Sequence, residues 1–433
     1  MPPDNYFALL GQIPCSPHID GNSLTGGTIR RILRNNTLPQ ITYQYKLLIA
    51  AAFLIGLLTP YLPEPYAALW SLVPLLALEA QNRITSFLVS LSFYLALSRG
   101  IVPGAYVFFR DGSLIRALVL WASSSVCLAL PYALLYPARC SLSARAARIV
   151  FIVLISVFPP LGLIGWGSPL VAAGIFFPLL GWNGILLLLS LYALAAIRRF
   201  RRAFILLAVA IIPVMPLRQP AVPETWKGID TKFGRLASGS GDFDEQFQRE
   251  RQVFVEMLRM KRKGEFLSTD VVLLPETLIG RMNPTTRRRW EDFLKELDES
   301  TIFIVGGEIP RSRKYDNVMV AFNDPKRQKA IQRCPVPFSM YRPFSDFGAN
   351  ANIFSLGENS IMTISGKRAG FLICYEQFLT WPFLTLMTLE PKLIAAPANF
   401  WWCKETSLPA VRDRTVKLLI ALFGVSLVSS INI

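Results

Sequence analysis

The distribution of apolar residues constrains this 433-residue chain more than any other feature. Seven apolar runs, at 47–62, 67–80, 84–98, 114–136, 149–165, 169–197 and 203–217, precede a second half in which such runs are short. A helix needs roughly 20 apolar residues to cross a bilayer. The runs therefore predict a polytopic α-helical membrane domain over residues 46–217 with about seven helices, one or two of the shorter runs being re-entrant. Arginines punctuate alternate loops: Arg83, then Arg139, Arg145 and Arg148, then Arg198, Arg199, Arg201 and Arg202. Basic loops stay in the cytoplasm, which places the N-terminal tail (1–45, with Arg30, Arg31 and Arg34) inside the cell. Seven spans would then deliver residue 218 onward to the outer face, the periplasm of a Gram-negative inner membrane. No signal-peptide cleavage pattern precedes the first run.

Composition agrees with this reading. With 52% hydrophobic residues, 17% charged residues and a mean hydropathy of +0.39, the chain is too apolar for a soluble enzyme. The formal charge of +16 raises the question of nucleic acid. No helix-turn-helix, zinc or RNA-binding signature accompanies it, and many of the basic residues flank apolar runs, so no direct nucleic-acid contact is expected. The six cysteines are far apart and include no C-x-x-C, and His18 is the single histidine. Neither a metal site, a disulfide framework nor a cofactor is expected.

Residues 218–241 read as a linker, and 242–433 alternate helical and strand patterns in the manner of an α/β layer. Phe243, Phe247, Phe254 and Leu258 give 242–262 an amphipathic helical face, and 284–300 is a second charged helix. Strands are expected at 271–274, 301–307, 317–322 and 393–398, the last followed by the aromatic loop Asn399-Phe400-Trp401-Trp402. Near the end, Arg412, Asp413, Arg414 and Lys417 break what would otherwise be another apolar span. We read a helix that Gly424 terminates and a final strand at 425–431.

Two of these strands end on reactive side chains. The run Gly370-Phe371-Leu372-Ile373 stops at Cys374-Tyr375-Glu376, and Val271-Val272-Leu273-Leu274 stops at Pro275-Glu276. An unperturbed thiol of pKa about 8.5 is only a few per cent thiolate at neutral pH and needs a base. His18 lies beyond the whole apolar half, so Glu276 is the better candidate, and the two strand ends should bring sulfur and carboxylate to within about one water-bridged hydrogen bond.

An aliphatic run ending in Pro-Glu, followed roughly a hundred residues later by one ending in Cys-Tyr-Glu, resembles the nitrilase (carbon-nitrogen hydrolase) superfamily. Behind a polytopic membrane domain it is similar to the apolipoprotein N-acyltransferases and to TraB-type conjugal transfer proteins. The resemblance implies an α-β-β-α sandwich, a Cys nucleophile forming a thioester, a Glu base and a Lys that stabilises the oxyanion. Glu276 and Cys374 match the base and the nucleophile, and Glu376 matches the supporting carboxylate after Cys-Tyr. The Lys of the N-acyltransferases stands four residues before Val-Pro-Phe. Here Gln332 holds that position before Val336-Pro337-Phe338, and Met340 replaces a second Glu. Lys329 or Arg333 could supply the charge if the strand bulges. Relative to an N-acyltransferase the domain is expected to be C-terminally short. Trp401 and Trp402 read either as acyl-chain contacts or as membrane-interface anchors, and Glu308, after Gly306-Gly307, as structural or functional. Two functions follow: a membrane-anchored amidase or acyltransferase of conjugative plasmid transfer, taking a membrane lipid or other acyl donor and a protein substrate, or a catalytically degenerate scaffold of the conjugal transfer apparatus.

Overall fold

The computed structural model describes residues 43–109, 113–136, 141–217, 219–235, 243–266, 269–342 and 344–433. The expectations for His18, for the tail arginines Arg30, Arg31 and Arg34, and for Arg139 lie outside the described residues.

The first half is helical. It runs through α1 (Tyr43–Leu58), a 3-10 segment (Glu64–Ser71) leading into α2 (Leu72–Glu79), then α3 (Arg83–Leu97), α4 (Ile101–Phe109), α5 (Leu114–Leu134), α6 (Leu142–Ile155), α7 (Ala173–Phe176), α8 (Gly181–Leu194) and α9 (Arg198–Ile211). Asn82 caps α3 by accepting from the Thr85 amide at 2.8 Å, so the chain can turn and restart a helix just before Arg83. Among the described residues only α5, 21 residues or about 31 Å long at 1.5 Å per residue, is by itself long and apolar enough to cross a membrane. Counting each bent pair as one span, α3 with α4 (51°) and Pro169–Phe176 with α8 (114°), raises that to three. The seven expected runs therefore do not appear as seven full-length helices. The run 169–197 is broken where Leu179 and Gly181 take positive φ (66° and 51°), a backbone conformation that ends a right-handed helix.

The helical half has two distinct ends. Tyr45, Gln81, Tyr136, Arg145 and Arg198 line a common recess, which gathers the start of α1, the turn before α3, the residues after α5 and the starts of α6 and α9. The opposite ends carry the rest of the protein. The Arg414 guanidinium donates to the Leu62 carbonyl, Lys417 pairs with Glu64 at 2.7 Å, and the Tyr375 hydroxyl donates to the Leu163 carbonyl at 2.7 Å. Trp166 stacks edge-on against Tyr375. Arg145, Arg198, Arg201 and Arg202 and the α/β half thus sit at opposite ends of the helices.

The α/β half is built on two sheets. The first has the order β1 (Trp226–Gly228), β2 (Val271–Leu273), β3 (Ile302–Arg311), β4 (Lys314–Phe322), β5 (Lys329–Ile331), with β6 (Gly348–Ala349) beside β4. The second has the order β10 (Ser426–Asn432), β9 (Leu393–Asn399), β8 (Lys367–Phe371), β7 (Ile361–Ile364). In each, three neighbouring strands are parallel and the next is antiparallel. Parallel strands need both faces covered, and β2 and β9 are accordingly buried throughout. Alternate residues divide the first sheet between two cores. Leu273, Ile304, Met319 and Ala330 face the second sheet, whereas Val272, Phe303, Val305 and Val320 face α10 (Phe243–Arg262) and α11 (Pro284–Leu297). On that outer side Phe254 stacks on Phe293 at 3.8 Å and meets Trp290 edge-on. The second sheet is covered by α12 (Thr380–Met387) and α13 (Leu408–Phe423), the latter ended by Gly424 at φ 65°, so the layers run helix, sheet, sheet, helix.

Two features depart from the sequence reading. The stretch taken as linker holds β1, an edge strand paired in parallel with β2 through Trp226↔Val271, and Thr231 bridges to Asn432 in the other sheet. The second is the short helix α12, which has no polar face to betray it because nearly all of it is buried.

Candidate active site

Both reactive residues sit just past the carboxyl ends of parallel strands, where the backbone leaves its ladder and side chains are free to converge. After β2 the chain passes Glu276 and runs beside the far part of β3: the Gly306 amide donates to the Pro275 carbonyl, and Ile279 and Met282 donate to the carbonyls of Gly306 and Glu308. Only glycine permits this approach, since a Cβ on Gly306 would lie 2.5 Å from the Glu276 Cα. After β8 the chain enters a 3-10 turn (Cys374–Phe378) whose first residue has φ 51°. A left-handed non-glycine residue is strained, and here the strain is held at the candidate nucleophile.

The two strand ends meet. The Cys374 thiol and the Glu276 carboxyl are near enough for each to shift the other's ionisation, and the Asn399 backbone amide, at the end of β9, favours the charged form of both. Asn317 on β4 donates through Nδ2 to Glu276 Oε1 at 2.5 Å and to Gln332 Oε1 at 2.9 Å. Gln332 Nε2 donates in turn to the Ile373 carbonyl at 2.8 Å, next to the nucleophile. All four side chains are buried, Cys374 being 5% exposed. Burial pushes the Glu276 pKa up from 4.5 to about 7, against the pull of its hydrogen bonds from Cys374 and Asn317. Burial, and then the neighbouring Glu276 charge, push the thiol well above its ordinary value. A carboxyl near neutrality beside an un-ionised thiol is the pairing in which proton transfer accompanies attack rather than preceding it.

Glu376 does different work. Its Oε1 accepts from the Arg333 and Cys334 amides at 2.7 and 3.0 Å, and its Oε2 from the Ile373 amide at 2.9 Å. It fastens the cysteine turn to the end of β5. Burial raises its pKa in spite of Arg333 and these amides.

The structure does not bring Lys329 into this cluster, and there is no bulge. The β4–β5 ladder is regular, with Val320 opposite Lys329 and Val318 opposite Ile331, and the Gln332 amide still donates to the Asn317 carbonyl. Three residues of a strand reverse the face, so Lys329 is exposed on the side away from Gln332. Arg333 is buried, but its guanidinium donates to Thr385 Oγ1 at 2.6 Å and to the Pro382 carbonyl at 2.8 Å and stands 3.8 Å from Glu376. Gln332 itself bonds to the carbonyl of Ile373, the residue before the nucleophile. Met340 lines a cleft of about 550 Å³ with Glu308, Tyr315, Arg342 and Phe108. Glu308 is buried there, and after burial itself, its charge and that of Glu276 are what raise the Tyr315 hydroxyl pKa. Trp401 and Trp402, both half-buried, pack on Phe108, with ring centroids 6.1 and 5.9 Å away.

The residue missed in the sequence is Asn317. Its signal was a polar residue opening the apolar run Val318-Met319-Val320-Ala321-Phe322 in phase with Met319, hence facing the inter-sheet core.

No protein-family model matches the chain. The chain is 30% identical over 377 residues to a conjugal transfer protein TraB of Agrobacterium fabrum, covering 83% of this chain and 86% of that protein. It is also 30% identical over 371 residues to a probable conjugal transfer protein TraB of Sinorhizobium fredii, covering 83% of this chain and 90% of the relative. Among solved structures, an amidase from Nesterenkonia sp. is similar over 49% of this chain and 78% of its own, at 12% identity and a TM-score of 0.31. A carbon-nitrogen hydrolase from Helicobacter pylori G27 is similar over 48% of this chain and 72% of its own, at 14% identity and a TM-score of 0.31. With a matched length that runs through both the helical and the α/β halves, the chain belongs to the TraB family of conjugal transfer proteins.

Proposed function

We propose that this protein is a membrane-anchored acyl-transfer or amide-cleaving enzyme of conjugative transfer, with Cys374 as nucleophile and Glu276 as general base. The observation that carries the reading is the convergence, in one buried cluster, of the Cys374 thiol with a carboxyl that Asn317 holds and that burial raises to about 7. In the first step Glu276 takes the thiol proton as sulfur adds to a substrate carbonyl. Collapse of the adduct expels the amine or alcohol, which leaves with that proton, and a thioester remains. In the second, Glu276 deprotonates water or an acceptor amine that attacks the thioester and restores the thiol. Among the described residues no lysine or arginine side chain bonds within the cluster, so on this reading the oxyanion rests on neutral donors and turnover is slow.

The helical half is read as the anchor in the bacterial inner membrane. Two observations support this: the length of α5, and the gathering of Arg145, Arg198, Arg201 and Arg202 at the end opposite the α/β half, an arrangement consistent with a periplasmic α/β half under the positive-inside rule. Acyl donor and acceptor are then a lipid or a component of the transfer apparatus at the outer leaflet.

Gln332 favours a second reading, a scaffold that keeps the fold but not the reaction, because a neutral amide stands where the resemblance implies a lysine and its Nε2 is already bonded to Ile373. An electrophilic acyl probe separates the two. The enzyme reading predicts covalent labelling at Cys374 that disappears in Cys374→Ala and slows in Glu276→Gln. Equal labelling of all three forms would refute it.

A further inference from the structure

At the end of the helical half away from the α/β layers lies a recess of about 710 Å³, and nothing in the proposed chemistry uses it. Its charged lining is four arginines, Arg145, Arg198, Arg201 and Arg202, against the single carboxylate Glu79. That carboxylate is already committed, to Arg201 at 2.7 Å and more distantly to Arg198 at 3.7 Å. Among the described residues no ion pair holds Arg145 or Arg202. The Arg145 Nε and the Tyr45 hydroxyl are both buried with no hydrogen-bond partner, although Tyr45 is only 4% exposed. Burying a donor without a partner is costly, so two such donors on residues lining one recess point to an acceptor that binds there. The remaining wall is aliphatic, with Leu47 and Leu48 on one side and Ile205 and Leu206 on the other.

We propose that this recess is a binding site for a phosphate-bearing anion. Arg145 and the Tyr45 hydroxyl donate to the phosphate oxygens, and the aliphatic wall takes the chains of an anionic phospholipid. Guanidinium groups suit phosphate because their forked donors match its oxygens, and basic pockets between helices at the cytoplasmic side recruit anionic headgroups. The inference rests on the membrane reading given above. It concerns the leaflet opposite the proposed chemistry, so the lipid held here is a structural ligand and not the acyl donor.

The test uses the full-length chain in a neutral detergent, with the thermal midpoint followed by tryptophan fluorescence. Titration with dioctanoyl-phosphatidylglycerol should raise the midpoint saturably, and dioctanoyl-phosphatidylcholine, which carries no net charge, should not. Arg145→Gln should weaken the apparent affinity about ten-fold, the loss expected for one charge-assisted contact, and Tyr45→Phe about three-fold. Tyr45→Phe removes one oxygen atom and keeps the test valid if the arginine variant does not fold. A saturable shift with inorganic phosphate as tight as with the lipid would keep the anion site and overturn the lipid as its source. No saturable shift with either anion, or shifts unchanged in both variants, would overturn the site. Carbonate washing of membranes separates this from the premise: if the chain is released, the membrane reading fails, and if it is retained yet binds neither anion, the present inference alone fails.

Discussion

Glu276 and Glu376 lie in one core, on facing sheets, and both are buried with raised pKa values. Their partners differ. Three backbone amides surround Glu376, with Arg333 beyond them, and none of these groups can accept a proton. Glu276 is held by one side-chain amide and a thiol, and the thiol has a proton to give. Burial alone therefore does not mark a catalytic acid or base. What separates the two carboxylates is whether a neighbour has a proton to exchange with them, and in the proposed chemistry this makes Glu376 a fastening and Glu276 the base.

That contrast can be broken or sharpened by substitution. Glu276→Gln should slow acylation of Cys374 by an electrophilic probe about 100- to 10,000-fold, the range for loss of a general base, with the thermal midpoint unchanged or raised. A fall in midpoint with no change in labelling would reverse the two roles. Glu376→Gln should destabilise by about 3–5 kcal/mol, because it turns an amide N–H₂ toward donors and leaves Arg333 buried without its charge partner. Denaturant or thermal unfolding measures this, and a loss under 1 kcal/mol would contradict it. Gln332→Lys puts a cation beside the sulfur and should speed labelling about ten-fold if oxyanion stabilisation is what the cluster lacks. An unchanged rate would favour the scaffold reading. The smallest effect is on stability. Folding raises the Glu276 pKa from 4.5 to about 7, so the folded chain holds a proton that the unfolded chain releases in that window. Stability therefore falls as pH rises from about 4.5 to about 7 and stays lower above. Thermal midpoints at pH 5 and pH 8 should differ less in Glu276→Gln than in the natural protein.

The sequence made the two strand ends legible because each couples an apolar β-favouring run to an abrupt polar stop, and because the pairing needs no residue from elsewhere to be recognised. The Gly424 stop and the helix before it were legible for a similar reason: Arg412, Asp413, Arg414 and Lys417 interrupt an apolar run too short to span a membrane after the break. Lys329 shows what a closer reading of the same sequence would have corrected. Its odd spacing from Gln332 places it on the opposite face of any regular strand, and the ladder is regular. Asn317 was harder. Its role comes from standing opposite Gln332 across β4 and β5 and beneath Glu276, a tertiary fact that a single strand pattern does not carry. The helical half was the least legible part. Hydropathy counts apolar residues but not the backbone breaks at Leu179 and Gly181 that divide a run into shorter helices.

The central claim, that Glu276 governs the Cys374 proton, is tested most directly by the pH dependence of Cys374 labelling in the natural protein and in Glu276→Gln. The natural protein should show a rate that falls about ten-fold per pH unit below an inflection near 7, where the carboxylate takes up its proton. The inflection should vanish in Glu276→Gln, leaving only a rise at alkaline pH as the thiol itself ionises. The same alkaline profile in both proteins, with no inflection near 7 in either, would contradict the claim.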